Sequence, residues 1–372
     1  MLHVDIPTPA QLLALTNARA DMAVSIYLPT TPLTQDAQAD RVALKNHAKE
    51  AVAQLHAANA DKRRVAQLEE HLDDLVDDDE FWAFQARSLA VLATPDAVQT
   101  FRLPSAHVAR VEVSDRFHLK PLLRAQTFPN ACHVLALAAN DVRLIAVSSD
   151  LPAGHAKVDG MPKDAASAVG KSSILGRSAS GRVHGSEGHK VRLAQFARQV
   201  DRVLMARLHG SHLPLVLAAN EPLAAIFRSL CTHPHLAAET IGGNSETMSD
   251  ADLAEKARAV LDKLYAAQLA EWRETYGTRA NQGRATGDIA QAARAATMGA
   301  IDSLMVDIDE SVPGTIDEAG VVSFAAVNDA ITYGVVDEIA SRVLLAGGRV
   351  LAVRRADIPG STGMAAILRF PV

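Results

Sequence analysis

The sequence predicts an α/β protein of three domains, and three observations carry that expectation. A chain of 372 residues is too long for one ordinary core and fits two or three. Strand-like and helix-like runs alternate along it, the pattern of layered α/β folds. Hydrophobic residues make up 48% and charged residues 22%, a globular balance, while aromatics are only 4%. Aliphatic side chains must therefore fill the cores. The domains are expected at residues 1–129, 130–258 and 259–372.

In the first block, Val24-Ser25-Ile26-Tyr27-Leu28 is a β-branched and aromatic strand run closed by Pro29 and Pro32. Residues 40–55 read as an amphipathic helix. Residues 61–76 read as a second, because Val65, Leu68, Leu72, Leu75 and Val76 recur at three- and four-residue spacing. Residues 69–80 hold eight acids, which are expected to face solvent or a basic protein partner. Acids crowded at a helix C-terminus oppose the macrodipole, so this helix is expected to fray before Phe81-Trp82. Residues 88–93 and 98–103 read as strands around Thr94-Pro95-Asp96.

In the second block, residues 133–139 and 142–147 read as a hairpin turned at Asn140-Asp141. Residues 151–188 show no sustained periodicity and are rich in Gly, Ser, Ala, Lys and Pro, which predicts a long mobile loop or linker, either functional or disordered. Residues 189–209 form the clearest helix. Leu193, Phe196, Val200, Val203 and Leu204 make its apolar stripe, with Arg192, Gln195, Gln199 and Arg202 opposite. A buried strand at 213–218 and a helix at 221–230 follow, then a long helix from 250 to about 276. The last block reads as helix 289–299, strand 303–308, helix 327–346 stopped by Gly347-Gly348, and strands 349–353 and 365–370.

The formal charge of −6 excludes a protein that coats nucleic acid by bulk charge, though not one with a local basic surface. No signal-peptide pattern and no long uninterrupted apolar run is seen, so a cytoplasmic location without membrane contact is expected. Cys132 and Cys231 are isolated thiols, read as reduced rather than as a disulfide. No His or Cys pair has a ligand spacing backed by a second pair, so neither a metal nor another cofactor is expected. Gly170-Lys171-Ser172-Ser173 imitates the end of a phosphate-binding loop, but Ala165 stands where that motif needs glycine and no strand precedes it.

The order of segments resembles the class-1 peptide release factor and Pelota superfamily, specifically its bacterial archaeo-eukaryotic release-factor-like families. The similar segments run collinearly through nearly the whole chain. They are Ser25-Ile26-Tyr27-Leu28-Pro29-Thr30, then Asp115-Arg116-Phe117-His118-Leu119-Lys120-Pro121-Leu122, and the hairpin at 133–147. Gln195-Phe196-Ala197-Arg198, Leu215-Val216-Leu217-Ala218, Ile241-Gly242-Gly243-Asn244, Met298-Gly299-Ala300-Ile301 and residues 346–350 and 363–370 continue it. The resemblance implies a mixed α/β N-terminal domain, an RNase-H-like central domain, and a C-terminal α/β/α sandwich resembling the kink-turn-binding ribosomal protein fold. It also implies the ribosomal A site and its rRNA as partner, with an elongation-type GTPase as a candidate delivery partner.

Release-competent members carry Gly-Gly-Gln ahead of the long central helix. Counted back from Gln195-Phe196-Ala197-Arg198, those positions here are His189, Lys190 and Val191, and the nearest alternative is Gly185-Ser186-Glu187-Gly188. Stop-codon-dependent release is therefore not expected. The charge of the loop remains: Lys171, Arg177, Arg182, Lys190 and Arg192 stand against Glu187 alone between residues 167 and 192, a net +4. Those five cations and Arg202 are the candidate RNA contacts. Lys45, Lys62-Arg63-Arg64, Arg354 and Arg355 are further basic positions, more simply read as solvated faces. His184, Glu187 and His189 are the candidate acid/base groups. The expected function is a ribosome-associated, non-enzymatic factor for hibernation or stalled-ribosome rescue. The alternatives are a peptidyl-tRNA hydrolase acting through the altered loop, and an RNA- or protein-binding module that has left the ribosome.

Overall fold

The computed structural model describes residues 5–32, 37–148, 153–168, 186–211, 213–327 and 331–371, with the side chains of 186–188 left aside. In chain order its helices are α1 (Pro9–Asn17), α2 (Ala37–Ala57), α3 (Lys62–Asp77), α4 (Asp79–Trp82), α5 (Lys120–Thr127), α6 (Ala165–Ala168), α7 (Ser186–Leu208), α8 (Leu223–Leu230), α9 (Asp250–Ala280), α10 (Ile289–Thr297) and α11 (Val335–Leu345). The strands are β1 (Ala23–Pro29), β2 (Ser88–Thr94), β3 (Ala97–Leu103), β4 (Arg110–Ser114), β5 (Cys132–Leu137), β6 (Val142–Val147), β7 (Gly154–His155) and β8 (Leu215–Ala218). They continue as β9 (Leu236–Ile241), β10 (Ala285–Thr286), β11 (Ile301–Asp307), β12 (Pro313–Ile316), β13 (Val322–Phe324), β14 (Tyr333–Gly334), β15 (Arg349–Val353) and β16 (Met364–Leu368). The fold is mixed α/β, as the alternation predicts. Two compact units emerge: Met1–Pro129 together with Gln268–Val372, and Asn130–Ala267.

The first unit holds an antiparallel sheet in the order β3-β2-β1-β4. Alternation sends the side chains of β1 to opposite faces. Val24, Ile26 and Leu28 join Leu44, Leu55, Leu68 and Leu72 of α2 and α3 in one core. Ala23 and Tyr27 enter a second core built with Ala292, Ile301, Leu304, Val336 and Ile339 from the far end of the chain. Residues nearly three hundred positions apart therefore share one apolar interior. That far end forms a mixed sheet, β10-β16-β11-β15, and a three-stranded sheet, β13-β12-β14.

Local chemistry sets several boundaries. The Asp61 carboxylate accepts the N–H groups of Arg63 and Arg64 and opens α3. At the other end the acidic run breaks the helix, where fraying was expected. Asp78 accepts from the Phe81 N–H at 2.9 Å and starts α4, and all eight acids are exposed.

Helix 327–346 is shorter than expected and begins at Val335. Tyr333 instead pairs with Gly314, and its hydroxyl accepts the Ile316 N–H. The backbone is extended up to Gly334, where a side chain would meet Asp337 Oδ2 at 2.8 Å and glycine is therefore needed.

The second unit is a five-stranded sheet, β7-β6-β5-β8-β9, with β7, β6 and β5 antiparallel and β8 and β9 parallel to β5. Leu135, Leu137, Leu144 and Leu217 pack under Phe196, Val200 and Leu204 of α7 and Phe227 of α8. Val134, Ile145, Val216 and Ala218 face Leu253, Ala257 and Leu261 of α9 on the other side. Residues up to Ala267 of α9 belong to this unit, and those from Gln268 onwards to the first. Part of the expected long loop is ordered. Residues 153–168 supply β7 and α6, and Ala156, Val158, Met161 and Ala165 pack on the core. Those contacts follow no period, so the sequence carries no sign of them.

Candidate functional site

The expected RNA contacts are clearest on α7. Its apolar stripe, Leu193, Phe196, Ala197, Val200 and Leu204, is fully buried and fixes the roll of the helix. The opposite side is thereby presented to solvent. His189, Lys190, Gln195, Arg198 and Arg202 are exposed, while Arg192 and Gln199 are half-buried. Val191, Gln195, Arg198 and Arg202 follow at three- and four-residue spacing along one line.

Among the described residues, Lys190, Arg192, Arg198 and Arg202 meet no carboxylate within ion-pair distance. Guanidinium groups left in this state are available to phosphate oxygens. From Lys190 to Arg202 the cations extend over about 18 Å at 1.5 Å per residue.

Lys171, Arg177, Arg182 and His184 lie outside the described residues. Glu187 is placed within α7 by its backbone alone, so the three acid/base candidates are not seen together. Arg198 was missing from the sequence-derived contacts. Its signal was available, since it lies one turn before Arg202 on the polar side of the same helix.

A second group of functional side chains is buried in the first unit, around residues 115–122. The Asp337 carboxylate, in the first turn of α11, accepts the N–H groups of Leu119 and Lys120 at 3.3 Å each. His118 Nδ1 stands 3.1 Å from it and Lys120 Nζ 3.8 Å. Burial pushes the Asp337 carboxyl up, but His118 and Lys120 more than reverse this and hold it well below the usual carboxylate range. Lys120 is 0% exposed, and its ammonium also donates to the carbonyls of Asp307, at 3.0 Å, and Glu310.

Next along α11, Glu338 gathers Arg19 at 3.2 Å, Arg342 at 2.8 Å, and Arg116, whose guanidinium lies 3.7 Å over the Tyr333 ring. The pocket beside His118, Tyr333 and Asp337 is barely large enough for a water molecule. This cluster is a cross-link between distant segments and cannot admit a substrate.

Burial pushes the Cys132 thiol up to about 12 and the Cys231 thiol up to about 11, so both are poor nucleophiles at neutral pH. Both cysteines are free. Among the described residues no group of three or more His, Cys, Asp or Glu is placed to hold a metal ion. No helix among them is long and apolar enough to cross a membrane.

Residues 129–267 match the sequence model of bacterial archaeo-eukaryotic release factor family 11, which covers the second unit from end to end. The release-factor-like character read from the sequence holds there. No curated protein matches the chain.

Among solved structures, the archaeal translation termination factor aRF1 is similar at 13% identity over 98% of this chain and 99% of its own, with a TM-score of 0.24. Dom34 of S. cerevisiae, a translation termination-like factor, is similar at 11% over 74% of this chain and 73% of its own, with a TM-score of 0.43. Pelota of Archaeoglobus fulgidus is similar at 11% over 99% and 94%, with a TM-score of 0.32. These likenesses are distant.

Proposed function

We propose that the protein is a ribosome-associated translation factor that contacts rRNA near the A site, in hibernation or stalled-ribosome rescue, and does not release peptides. The match of residues 129–267 to a release-factor family supports this reading. So does the cationic line on α7, which leads directly out of the Gly-rich basic segment.

No Gly-Gly-Gln triplet occurs in the sequence, which supports a role without peptide release. The strand order of the second unit, three antiparallel strands followed by two parallel ones, supports an RNase-H-like reading of this domain. The two halves of the first unit are then separate N- and C-terminal domains that share a core, with the C-terminal one of kink-turn-binding type. An elongation-type GTPase is the candidate delivery partner.

Co-sedimentation with stationary-phase ribosomes tests the reading. Binding is expected at low salt and to weaken steeply as salt rises. Neutralising Lys171, Arg177, Arg182 and Lys190 together, or Arg198 and Arg202 together, is expected to reduce it by an order of magnitude or more. A chain that stays in the soluble fraction at low salt sinks the proposal. Accelerated ester hydrolysis on stalled complexes would replace it with a peptidyl-tRNA hydrolase.

A further inference from the structure

One edge of the three-stranded sheet in the first unit is a short strand without charge. In the order β13-β12-β14, strand β13 is outermost. Its register with β12 pairs Gly314 with Phe324, Thr315 with Ser323 and Ile316 with Val322. Just beyond the ladder, Asp317 N–H donates to Val321 O at 3.1 Å and Ala325 N–H to Pro313 O at 2.9 Å. Hydrogen-bonded pairs alternate along an antiparallel ladder, so Thr315 and Ser323 form the bonded pair between these two. The N–H and C=O groups of Val322 and Phe324 must then point away from β12, towards the open edge.

Natural proteins guard such edges with charge, proline or cover. The other outer strands of three or more residues each carry a charge: Arg102 on β3, Arg110 and Glu112 on β4, Glu239 on β9 and Arg349 on β15. Strand β13 has none, and residues 319–327 are uncharged throughout. Large apolar side chains are exposed in the same stretch: Val321 at 52%, Phe324 at 59% and Val327 at 68%. Phe324 lies opposite Gly314, where a Cβ would meet Ser323 O at 2.5 Å and Val335 Cγ2 at 2.8 Å. Only glycine fits there, so the ring has no side chain opposite it within its own sheet.

We infer that two copies associate by antiparallel pairing of β13 with β13 about a two-fold axis through Ser323. The outward groups of Val322 then bond those of Phe324 in the partner copy, and the reverse, closing four backbone hydrogen bonds. Each Phe324 ring gains a cross-strand Val322 on its own face. The occupant is a second copy because bonding groups at the first and third positions of a three-residue strand are self-complementary about the middle one. Pairing through one three-residue strand buries far less than the ~1,200 Å² of a stable interface, so the dimer is weak and reversible.

Sedimentation velocity of the full chain, from low to high micromolar concentration, reads this directly. A reversible monomer–dimer shift is expected, abolished by Phe324→Lys and by Val322→Pro and kept by Phe324→Leu, with unchanged circular dichroism and melting. A sharper readout uses Ser323→Cys. Ser323 and its copy would form a non-hydrogen-bonded pair with Cα atoms about 4.5 Å apart, within disulfide reach. Mild oxidation is expected to trap a covalent dimer that the parent chain, with Cys132 and Cys231, does not form. A chain that stays monomeric throughout, a dimer untouched by both Phe324→Lys and Val322→Pro, or a dimer that Ser323→Cys fails to trap would each overturn the inference. A dimer lost in moderate salt would assign the contact to charge instead.

Discussion

The two units solve the same packing problem with different chemistry. The second is contiguous in sequence, and aliphatic layers above and below one sheet suffice to hold it. The first joins two stretches separated by the whole of the other unit, and at their meeting point it buries charge. Asp337 and Glu338 on α11 collect His118, Lys120, Arg116 and Arg19 from the N-terminal half. A greasy contact between distant segments can slide, whereas a carboxylate held by two amides, an imidazole and an ammonium has one register. Buried ion pairs add little net stability, and a role in specifying this register is the reading we favour for the cluster.

The largest expected effect tests that contrast. Asp337→Ala leaves Lys120 buried without its counter-charge and is expected to destabilise the first unit by about 3–5 kcal/mol. Segment-resolved hydrogen exchange should show loss of protection at 119–127 and 335–345 while α7 keeps its own. Replacing the pair by Lys120→Met with Asp337→Leu should recover most of the stability but loosen the register. In the second unit Phe196→Ala is expected to cost a similar ~3–5 kcal/mol through a plain cavity. If Asp337→Ala proves neutral in denaturant titrations, the contrast between the units is wrong.

Acid should separate the units next. His107 in the first unit and His133 in the second are each held down to about 4, chiefly by burial and then by Arg124 and Arg207 respectively. The unfolded chain takes up these protons near pH 6.5 and the folded chain does not. Stability is therefore complete above 6.5 and falls as the pH drops towards 4, on the order of 2 kcal/mol per histidine. Asp337 acts lower still. Its folded value lies below the ordinary 3.8, so its contribution is present above that pH and is lost as the pH falls through the depressed value. Both units should weaken between pH 6.5 and 4, with a larger further step below that in the first unit, where Asp337 is buried. Exchange rates followed across the range would expose a single common step, contrary to this expectation.

The smallest effect concerns local rather than distant order. Asp61→Ala removes the cap of α3 and is expected to cost about 1 kcal/mol, visible as a modest drop in melting temperature. A loss as large as that of Asp337→Ala would mean that local signals govern the first unit too.

The same division explains what the sequence disclosed. Periodicity located β1, α3, the β5–β6 hairpin and α7 to within a few residues, because each follows from its own neighbours. The cationic side of α7 was readable for the same reason, although Arg198 escaped. What stayed hidden depends on partners far along the chain. Lys120 reads as an ordinary surface cation until Asp337 is placed beside it. The start of α11 could not be found from the preceding sequence, because the pairing of Tyr333 with Gly314 keeps Tyr333 out of the helix. Residues 153–168 pack without a period and so resembled a loop.

The split first unit also sets a timetable for synthesis. Until residues 268–372 leave the ribosome, the core that holds Tyr27 lacks the side built from Ala292, Ile301, Leu304 and Val336, and Lys120 and His118 lack the Asp337 carboxylate. At ~5–20 residues per second, that half waits on the order of ten seconds or longer while the segment translated after it matures. The part of the chain made first is thus the last to be finished.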